Sequence, residues 1–378
     1  MALPQVSEAY MFGDFEVSTL QGLLDIWLDN RDGLTELMTV ISTAFARYSA
    51  LAISTLGRQS LNMARQNVEV AYDVSNDFMS AMLPQRRNDV LLRYLGEKKK
   101  GGPRGDLVSG PTKGDLEAAQ QRKIHHILTK VRISPGQRLL EIGSGWGAMA
   151  LAAARLGCEV DTVTLSIEQK TLTEERARAA GFTDRIRVHL CDYRNLPREF
   201  EHKFDAFVSC EMIEAVGIKH LGEYFNMADW ALKTDRATVV ITATSQPEHR
   251  YQIFQPDDFS RHYHWPNCYL PSATSLAVAV QNNVPGKFVL YNLEDHGIHL
   301  GQIIPGPYVN GVGTRLDNNF KGKIVEHIQE TYPELQDPQK LEAFIKKWRY
   351  MFAYAAVGYA RAYTSLMCWT FTRPVKPD

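Results

Sequence analysis

The chain has 378 residues, 44% of them hydrophobic, which suffices for one large domain with additions or for two domains. Its 42 basic and 43 acidic residues give a net charge of −1, which excludes the general positive field that attracts nucleic acid or anionic membranes. The five cysteines are widely spaced and form no CxxC pair, so we expect free thiols in a reducing, cytoplasmic compartment and no metal site.

Residues 1–115 are predicted to form a helical region followed by a mobile linker. The N-terminus lacks the basic and apolar segments of a signal peptide, and no apolar run reaches the ~18 residues of a membrane span. Apolar residues recur at helical spacing across 16–66, and these helices are the predicted surface for a homodimer. Segment 97–115 is rich in Lys, Gly and Pro, which is typical of a linker.

Residues 116–245 are predicted to form an α/β core. An amphipathic helix at 116–131 precedes a buried strand at 139–142. Further strands are expected at 158–164, 186–191, 204–210 and 237–243, with helices near 148–156, 167–180 and 218–233. This alternation predicts a parallel, doubly wound, Rossmann-like sheet.

The run LLEIGSGWG, residues 139–147, predicts a ligand site between the first strand and the next helix. Gly143, Gly145 and Gly147 allow positive φ and close approach of a ligand, and Ser144 lies between them. The helix that follows offers free N–H groups to an anionic part of that ligand. Glu141, two residues before the first glycine, favours a ligand that carries an ammonium group over a pyrophosphate.

Polar residues also follow the later strands, whose carboxyl ends form the usual ligand edge of such sheets. Thr164, Leu165, Ser166 and Gln169 follow the second strand, and Asp192 and Tyr193 follow the third. Glu211 and Glu214 follow the fourth; we expect Glu211 to cap the next helix and Glu214 to act in the reaction.

The remaining sequence is predicted to cover and complete the core. Segment 246–310 is dense in aromatic residues and histidines, so we expect a substrate lid there, lined in part by Tyr251, Phe254, Tyr263, Trp265 and Tyr269. Residues 311–378 are expected to complete the core with a helix at 341–363 and a strand at 366–372.

Motifs in collinear order over about residues 66–374 resemble the cyclopropane-fatty-acid and mycolic-acid synthase family of class I S-adenosylmethionine (SAM) methyltransferases, which includes coclaurine-type N-methyltransferases. The matching segments are Tyr72–Phe78, Leu116–Lys123, Glu141–Gly147, Val163–Gln169, Asp192–Arg194, Glu211–Gly217, Leu270–Ser272, Trp348–Tyr350 and Arg373–Pro374. The resemblance implies SAM as cofactor and assigns Glu214 to the reaction centre. The residues it implies at SAM are Tyr72, Glu141, Gly143, Ser144, Gly145, Gly147, Thr164, Leu165, Ser166, Gln169, Asp192 and Tyr193.

The chain departs from this family at the positions that supply acid–base groups in other members. The bicarbonate that the family's lipid cyclopropanases use as a base is held partly by a Tyr-Ser-Cys segment, and residues 82–89 contain no cysteine. Other positions where the family has histidine or tyrosine carry Ala71, Ala215, Ile241 and Phe352. The sequence therefore favours cofactor binding over lipid cyclopropanation.

Three hypotheses follow for the activity. The first is methyl transfer from SAM to carbon or nitrogen of a hydrophobic, unsaturated small molecule of the kind found in secondary metabolism. The second is a SAM-dependent pericyclase, in which the sulfonium charge polarises a polyene and His262, His264, His296 or His299 donates a hydrogen bond. The third, a SAM-binding scaffold, ranks last because Glu214 and the aromatic segment are both retained.

Overall fold

The computed structural model describes residues 3–36, 115–255, 257–297 and 323–374. Its helices are α1 (Leu3–Phe12), α2 (Leu20–Glu36), α3 (Asp115–Val131), α4 (Ala148–Arg155), α5 (Ile167–Ala179), α6 (Leu221–Ala231), α7 (Phe259–Tyr263), α8 (Ala273–Asn283), α9 (Lys323–Thr331) and α10 (Pro338–Ala360). Its strands are β1 (Arg138–Ile142), β2 (Glu159–Thr164), β3 (Ile186–Leu190), β4 (Ala206–Cys210), β5 (Thr238–Ser245), β6 (Val289–Asp295) and β7 (Ser365–Thr372).

The seven strands form one sheet in the order β3-β2-β1-β4-β5-β7-β6. Strands β1 to β5 are parallel, as predicted, whereas β7 is antiparallel to both β5 and β6. The parallel strands predicted within residues 116–245 and the α/β Rossmann-like fold class are both confirmed, and the strand predicted at 366–372 joins the sheet in the antiparallel direction. In β1, consecutive residues point to opposite faces: Leu139 joins the core beneath α3 and α4, and Leu140 joins the core beneath α6 and α8.

The predicted lid is too long at its C-terminal side. Helix α8 packs against α6 through Leu276 and Val280, which are fully buried, and β6 is the edge strand of the central sheet. Residues 273–295 thus belong to the core rather than to a cover. Strand β6 escaped prediction because its side chains are mostly exposed and do not alternate clearly between apolar and polar residues.

The N-terminal helices α1 and α2 pack against the C-terminal helix α10 of the same chain. Met11, Leu24 and Leu28 are buried there with Tyr350 and Val357. The apolar faces that predicted a homodimer are therefore used at least in part within one chain. The predicted helices over 37–66 and the linker at 97–114 lie outside the described residues. Among the helices that are described, none combines the length and hydropathy that a membrane span requires.

Local sequence explains where the C-terminal helix begins. Asp337 caps α10 by accepting hydrogen bonds from the backbone N–H groups of Gln339 and Lys340, and Pro338 occupies the first helical position. The helix consequently starts three residues before the predicted position. The predicted helix at 218–233 begins as a 3₁₀ turn after Gly217, and its α-helical part is 221–231.

Candidate active site

The glycine-rich turn after β1 is held against the end of β2. The backbone N–H groups of Gly143 and Ser144 both donate to the carbonyl of Val163, at 2.9 and 3.1 Å. Gly143 and Gly145 have φ of +91° and +46°, and a Cβ on Gly143 would lie 3.3 Å from Cβ of Met212. Ser144 is buried and donates its hydroxyl to the carbonyl of Gly145. The turn therefore has a fixed, open backbone that a ligand can approach.

Gly147 has a different reason for being glycine. It caps the N-terminus of α4 with φ of +82°, and a Cβ there would lie 2.6 Å from Cγ2 of Thr173 in α5. Its predicted role in cofactor binding is thus matched by a packing requirement between two helices. Since no side chain caps α4 at Gly147, the first N–H groups of the helix remain available to a ligand.

Glu141 is a buried carboxyl group within β1. Its side chain is 3% exposed, and Oε2 has no hydrogen-bond partner among the described residues. Burial raises the pKa of Glu141 to about 8. Oε2 of this buried carboxyl group is therefore able to accept a hydrogen bond from a cationic donor.

The residues that follow β2 form a small polar cluster. The Thr164 hydroxyl donates to Oε1 of Gln169 at 2.7 Å, and Ser166 caps α5 by accepting from the backbone N–H of Gln169. Thr164 and Gln169 are buried, and Leu165 between them is half-buried. The cap at Ser166 leaves Thr164 and Gln169 arranged along the ligand edge.

Asp192, after β3, already has a cationic neighbour. Its two carboxylate oxygens accept from Nε and Nη2 of Arg194 at 2.8 and 2.7 Å. Oδ1 also accepts from the backbone N–H of Arg194 at 2.9 Å, so Oδ2 is the oxygen that keeps capacity for an adenine amine. Tyr193 instead packs edge-on against Tyr224, with ring centroids 5.2 Å apart, and belongs to the hydrophobic core.

Glu214 is the second buried carboxyl group at this edge. Its Oε1 accepts from the backbone N–H of Thr244 at 2.7 Å, and its Oε2 has no partner among the described residues. Burial, followed by the nearby Glu211, raises the pKa of Glu214 to about 8. Since β1 and β4 are neighbouring strands, Glu141 and the segment that carries Glu214 lie side by side at the ligand edge.

Glu211 does not cap a helix, contrary to the prediction. Its carboxylate accepts from Nζ of Lys123 in α3 at 2.5 Å, and the two side chains are only 12% and 3% exposed. Glu211 also adopts φ of +52°, which is uncommon for a residue other than glycine. This buried ion pair ties α3 to the turn that carries Glu214.

Sequence reasoning missed three of the groups around Glu214. Thr244 holds Glu214 by its backbone, and its hydroxyl lies 2.9 Å from the hydroxyl of Tyr359 in α10. Lys123 is the third group, and it donates a hydrogen bond to Glu211, which lies near Glu214. The only sequence signal was that Lys123 lies in a segment of family resemblance; the partners come from distant parts of the chain.

The histidines predicted as donors are not arranged as one group. His262 is exposed, and its Nδ1 lies 3.0 Å from Oδ2 of Asp257. This surface position does not support a catalytic role. His264 is packed edge-on against Trp348 at 4.7 Å, and burial lowers its pKa to about 3. Nε2 of His264 has no hydrogen-bond partner among the described residues. His299 and Tyr72 lie outside the described residues.

The aromatic residues of segment 246–310 are also dispersed. Tyr269 is buried and its hydroxyl lies 2.5 Å from that of Tyr251, whereas Phe254 and Trp265 are exposed. Tyr263 turns toward the N-terminal helices and donates to Glu8. A single aromatic enclosure is therefore not formed by these five side chains alone.

The donor set as a whole fits SAM. The carboxyl group of Glu141, with one unpartnered oxygen, matches an amino group, and the uncapped start of α4 matches a carboxylate. The polar cluster after β2 and the carboxylate of Asp192 suit the ribose hydroxyls and the adenine amine. These positions follow one another along the edge in the strand order β3-β2-β1.

A Rossmann-like sheet with β7 inserted antiparallel, and with this edge, defines the class I SAM-dependent methyltransferase fold. The chain belongs to the mycolic acid cyclopropane synthetase family, whose sequence profile matches residues 59–301. The family resemblance and the class of cofactor predicted from the sequence are thereby confirmed.

Named relatives and solved structures agree with this assignment. The chain is 29% identical over 325 residues to the tuberculostearic acid methyltransferase UfaA1 of Mycobacterium tuberculosis, covering 84% of this chain and 67% of the relative. It is 32% identical over 227 residues to the cyclopropane-fatty-acyl-phospholipid synthase of Escherichia coli K12, covering 60% of this chain and 51% of the relative. The chain thus spans between half and two thirds of the length of these relatives.

Among solved structures, coclaurine N-methyltransferase bound to N-methylheliamine and S-adenosylhomocysteine (SAH) superposes with a TM-score of 0.69 at 16% identity, covering 99% of this chain and all of that one. The [4+2]-cyclase SpnF superposes with a TM-score of 0.57 at 15% identity, covering 84% of this chain and 97% of that one. At these identities the likeness establishes the fold alone.

Proposed function

We propose that this chain binds SAM and transfers its methyl group to a carbon atom of an unsaturated, apolar acceptor such as a lipid acyl chain. The observation that carries the proposal is the pair of buried carboxyl groups, Glu141 and Glu214, at the ends of neighbouring segments of the sheet edge. Each has one oxygen without a hydrogen-bond partner in the described part of the chain. One is suited to the amino group of SAM and the other to the reacting centre.

The proposal that the chain binds SAM is supported by the polar groups along the sheet edge. Glu141 would pair with the ammonium group, and the N–H groups at the start of α4 would bind the carboxylate. Ser166 and Gln169 would meet the ribose, and Asp192 would accept from the adenine amine. When bound, SAM supplies an electrophilic methyl group on a positively charged sulfur.

The proposal for the methyl-transfer step depends on Glu214. Transfer of the methyl group to one carbon of a double bond would break its bond to sulfur, releasing SAH, and would leave positive charge on the other carbon. Loss of a proton from a carbon next to that charge would then neutralise it. A desolvated carboxylate stabilises that charge and accepts the proton more effectively than a carboxylate in water does. The bond from the Thr244 N–H fixes Oε1 of Glu214, so Oε2 is the oxygen that would face the acceptor.

The activities given in the names of several relatives favour carbon as the acceptor atom. UfaA1 is a tuberculostearic acid methyltransferase, and three of the other relatives are sphingolipid C9-methyltransferases. A hydrophobic small molecule or lipid is accordingly the proposed partner, and a cytoplasmic location and a homodimer remain part of the proposal.

The pericyclase hypothesis has less support. Of its candidate histidine donors, His262 is exposed and His264 is packed among aromatic rings. His296 follows β6 at the far edge of the sheet, and His299 lies outside the described residues. Similarity to SpnF is confined to the fold.

The test is incubation of the full chain with methyl-labelled SAM and vesicles of a phospholipid with monounsaturated chains. We expect label in the acyl chain, a gain of one CH₂ unit and an equal amount of SAH. Vesicles with saturated chains are the matched control and should remain unlabelled. An unsaturated substrate that is isomerised without added mass, with SAM required but intact, would instead establish a cyclase. Absence of label from every lipid and apolar polyene offered would overturn the proposal.

A further inference from the structure

Four side chains with metal-binding atoms meet at the edge of the sheet away from the SAM residues. They are His126 of α3, Glu294 of β6, His296 just after β6, and Cys368 of β7. One ligand atom from each lies within 4.8 Å of the others. Cys368 and His296 are buried, at 1% and 4% exposure, and His126 and Glu294 are about one fifth exposed, at 17% and 25%.

The sheet register brings these groups to one face. Glu294 and Cys368 are directly paired across the antiparallel strands β6 and β7. His296 is two residues beyond Glu294, so its side chain returns to the same face, and its N–H donates to the carbonyl of Leu366 at 2.7 Å. Helix α3 packs over this face and contributes His126.

We propose that His126, Glu294, His296 and Cys368 bind one divalent transition-metal ion, of which Zn²⁺ suits the donor set best. Two imidazole nitrogens, one thiolate and one carboxylate oxygen are typical zinc ligands, and four protein ligands are typical of a structural site. A thiolate and a carboxylate together balance the two positive charges of the ion, so the buried site would be neutral. This proposal departs from the sequence expectation of no metal site.

Hydrogen bonding alone accounts for only part of the cluster. Nε2 of His126 lies 2.7 Å from Oε2 of Glu294, and Nε2 of His296 lies 3.3 Å from the same oxygen. Nζ of Lys130 lies 2.6 Å from the other oxygen, Oε1, and would retain this contact with a metal at Oε2. This network explains why the carboxylate and imidazoles meet, but it gives no reason for a thiol among them.

The ion would fasten α3 to the β6–β7 edge. Lys123, which pairs with Glu211 beside the reaction centre, precedes His126 by about one helical turn. The role inferred for the metal is therefore structural, and it does not depend on the proposed methyl transfer.

Cobalt(II) alone is the probe that tests this site. Titration of the metal-stripped full chain should give one equivalent of Co²⁺ with visible bands of tetrahedral geometry and a near-ultraviolet thiolate-to-cobalt absorption. Cys368→Ser should abolish the thiolate absorption and weaken binding at least about tenfold. Cys158→Ser is the matched control, because Cys158 is also buried but lies at the start of β2; it should bind Co²⁺ as the native chain does.

A second measurement guards against variants that fold poorly. Zn²⁺ should raise the unfolding temperature of the native chain, and Glu294→Gln and His126→Asn should each reduce that rise. SAH binding by the same preparations reports folding independently of the metal. A chain that binds SAH but takes up no stoichiometric Co²⁺ or Zn²⁺, or a Cys368→Ser variant with an unchanged cobalt spectrum, would overturn the proposal.

Discussion

Glu141 and Glu214 are two buried carboxyl groups that share one sheet edge, and burial raises the pKa of each to about 8. Buried carboxyl groups without a cationic partner destabilise a fold, and such groups at a ligand edge favour a ligand that supplies the missing positive charge. A cofactor with an ammonium group and a sulfonium centre supplies positive charge at two such points.

Removal of the Glu141 charge should make the protein without cofactor less sensitive to pH. A folded-state pKa raised from 4.5 to about 8 means that folding is favoured by protonation, and this stability is lost as pH rises through about 5 to 8, by up to about 1.4 kcal/mol per pH unit. Glu141→Gln keeps a neutral side chain and should lose less stability over that interval. Urea unfolding at several pH values measures this, with the exposed Glu201→Gln as control. Parallel pH profiles for native chain and Glu141→Gln would contradict the assignment.

Substitution of Glu214 should affect turnover more than cofactor binding. Glu214→Gln retains the shape of the side chain and an acceptor for the Thr244 N–H but cannot accept a proton, so kcat should fall by about 10²–10⁴-fold. The Kd for SAH should change by less than about tenfold. Glu223→Gln, at a half-exposed position on α6, should retain full activity. Undiminished turnover by Glu214→Gln would remove this carboxylate from the reaction.

Tyr359 should act as a positioning residue for Glu214. Its hydroxyl bonds that of Thr244, whose N–H holds Oε1 of Glu214, so Tyr359→Phe should lower kcat about fivefold, the worth of about one hydrogen bond, without raising the KM for SAM. Tyr350→Phe is the matched control on the same helix, since the Tyr350 hydroxyl is buried without a partner in the described ranges. Equal effects of the two changes on kcat would indicate a packing effect only.

Replacement of only one partner of the buried Lys123–Glu211 ion pair should destabilise the fold. Lys123→Met leaves the carboxylate of Glu211 buried beside Glu214, which should destabilise the fold by about 3–5 kcal/mol. Addition of Glu211→Gln should recover part of that loss. Arg236→Met, at an exposed pair with Asp235, should cost less than about 1 kcal/mol. Chemical denaturation of the native chain and these three variants gives the comparison, and a Lys123→Met variant as stable as the native chain would contradict the prediction.

The parallel half of the sheet was predictable because its strands are short segments rich in apolar or β-branched residues that end at glycine or polar residues. Strands β1 to β5 lie within about two residues of their predicted bounds, and the positions of Glu141, Thr164 and Asp192 at one edge follow from parallel pairing. Strand β6 and its pairing with β7 could not be predicted, because an exposed edge strand lacks a clear period.

The surroundings of Glu214 were predictable only in part. Its own position follows from the end of β4, but Lys123, Thr244 and Tyr359 approach it from three separate elements. The same holds for His126 and Cys368, whose proximity depends on how α3 packs on β7. Tertiary packing, rather than local spacing, creates both arrangements.

The most direct test of the central claim is calorimetric titration of the native chain with SAH at about pH 6.5 in buffers of different ionisation enthalpy. At that pH an α-amino group, with a pKa near ~8, is mostly protonated, and so is the carboxyl of Glu141. We predict one equivalent of binding with release of close to one proton, and loss of that proton release in Glu141→Gln. Absence of SAH binding, or equal proton release by native chain and Glu141→Gln, would contradict the account.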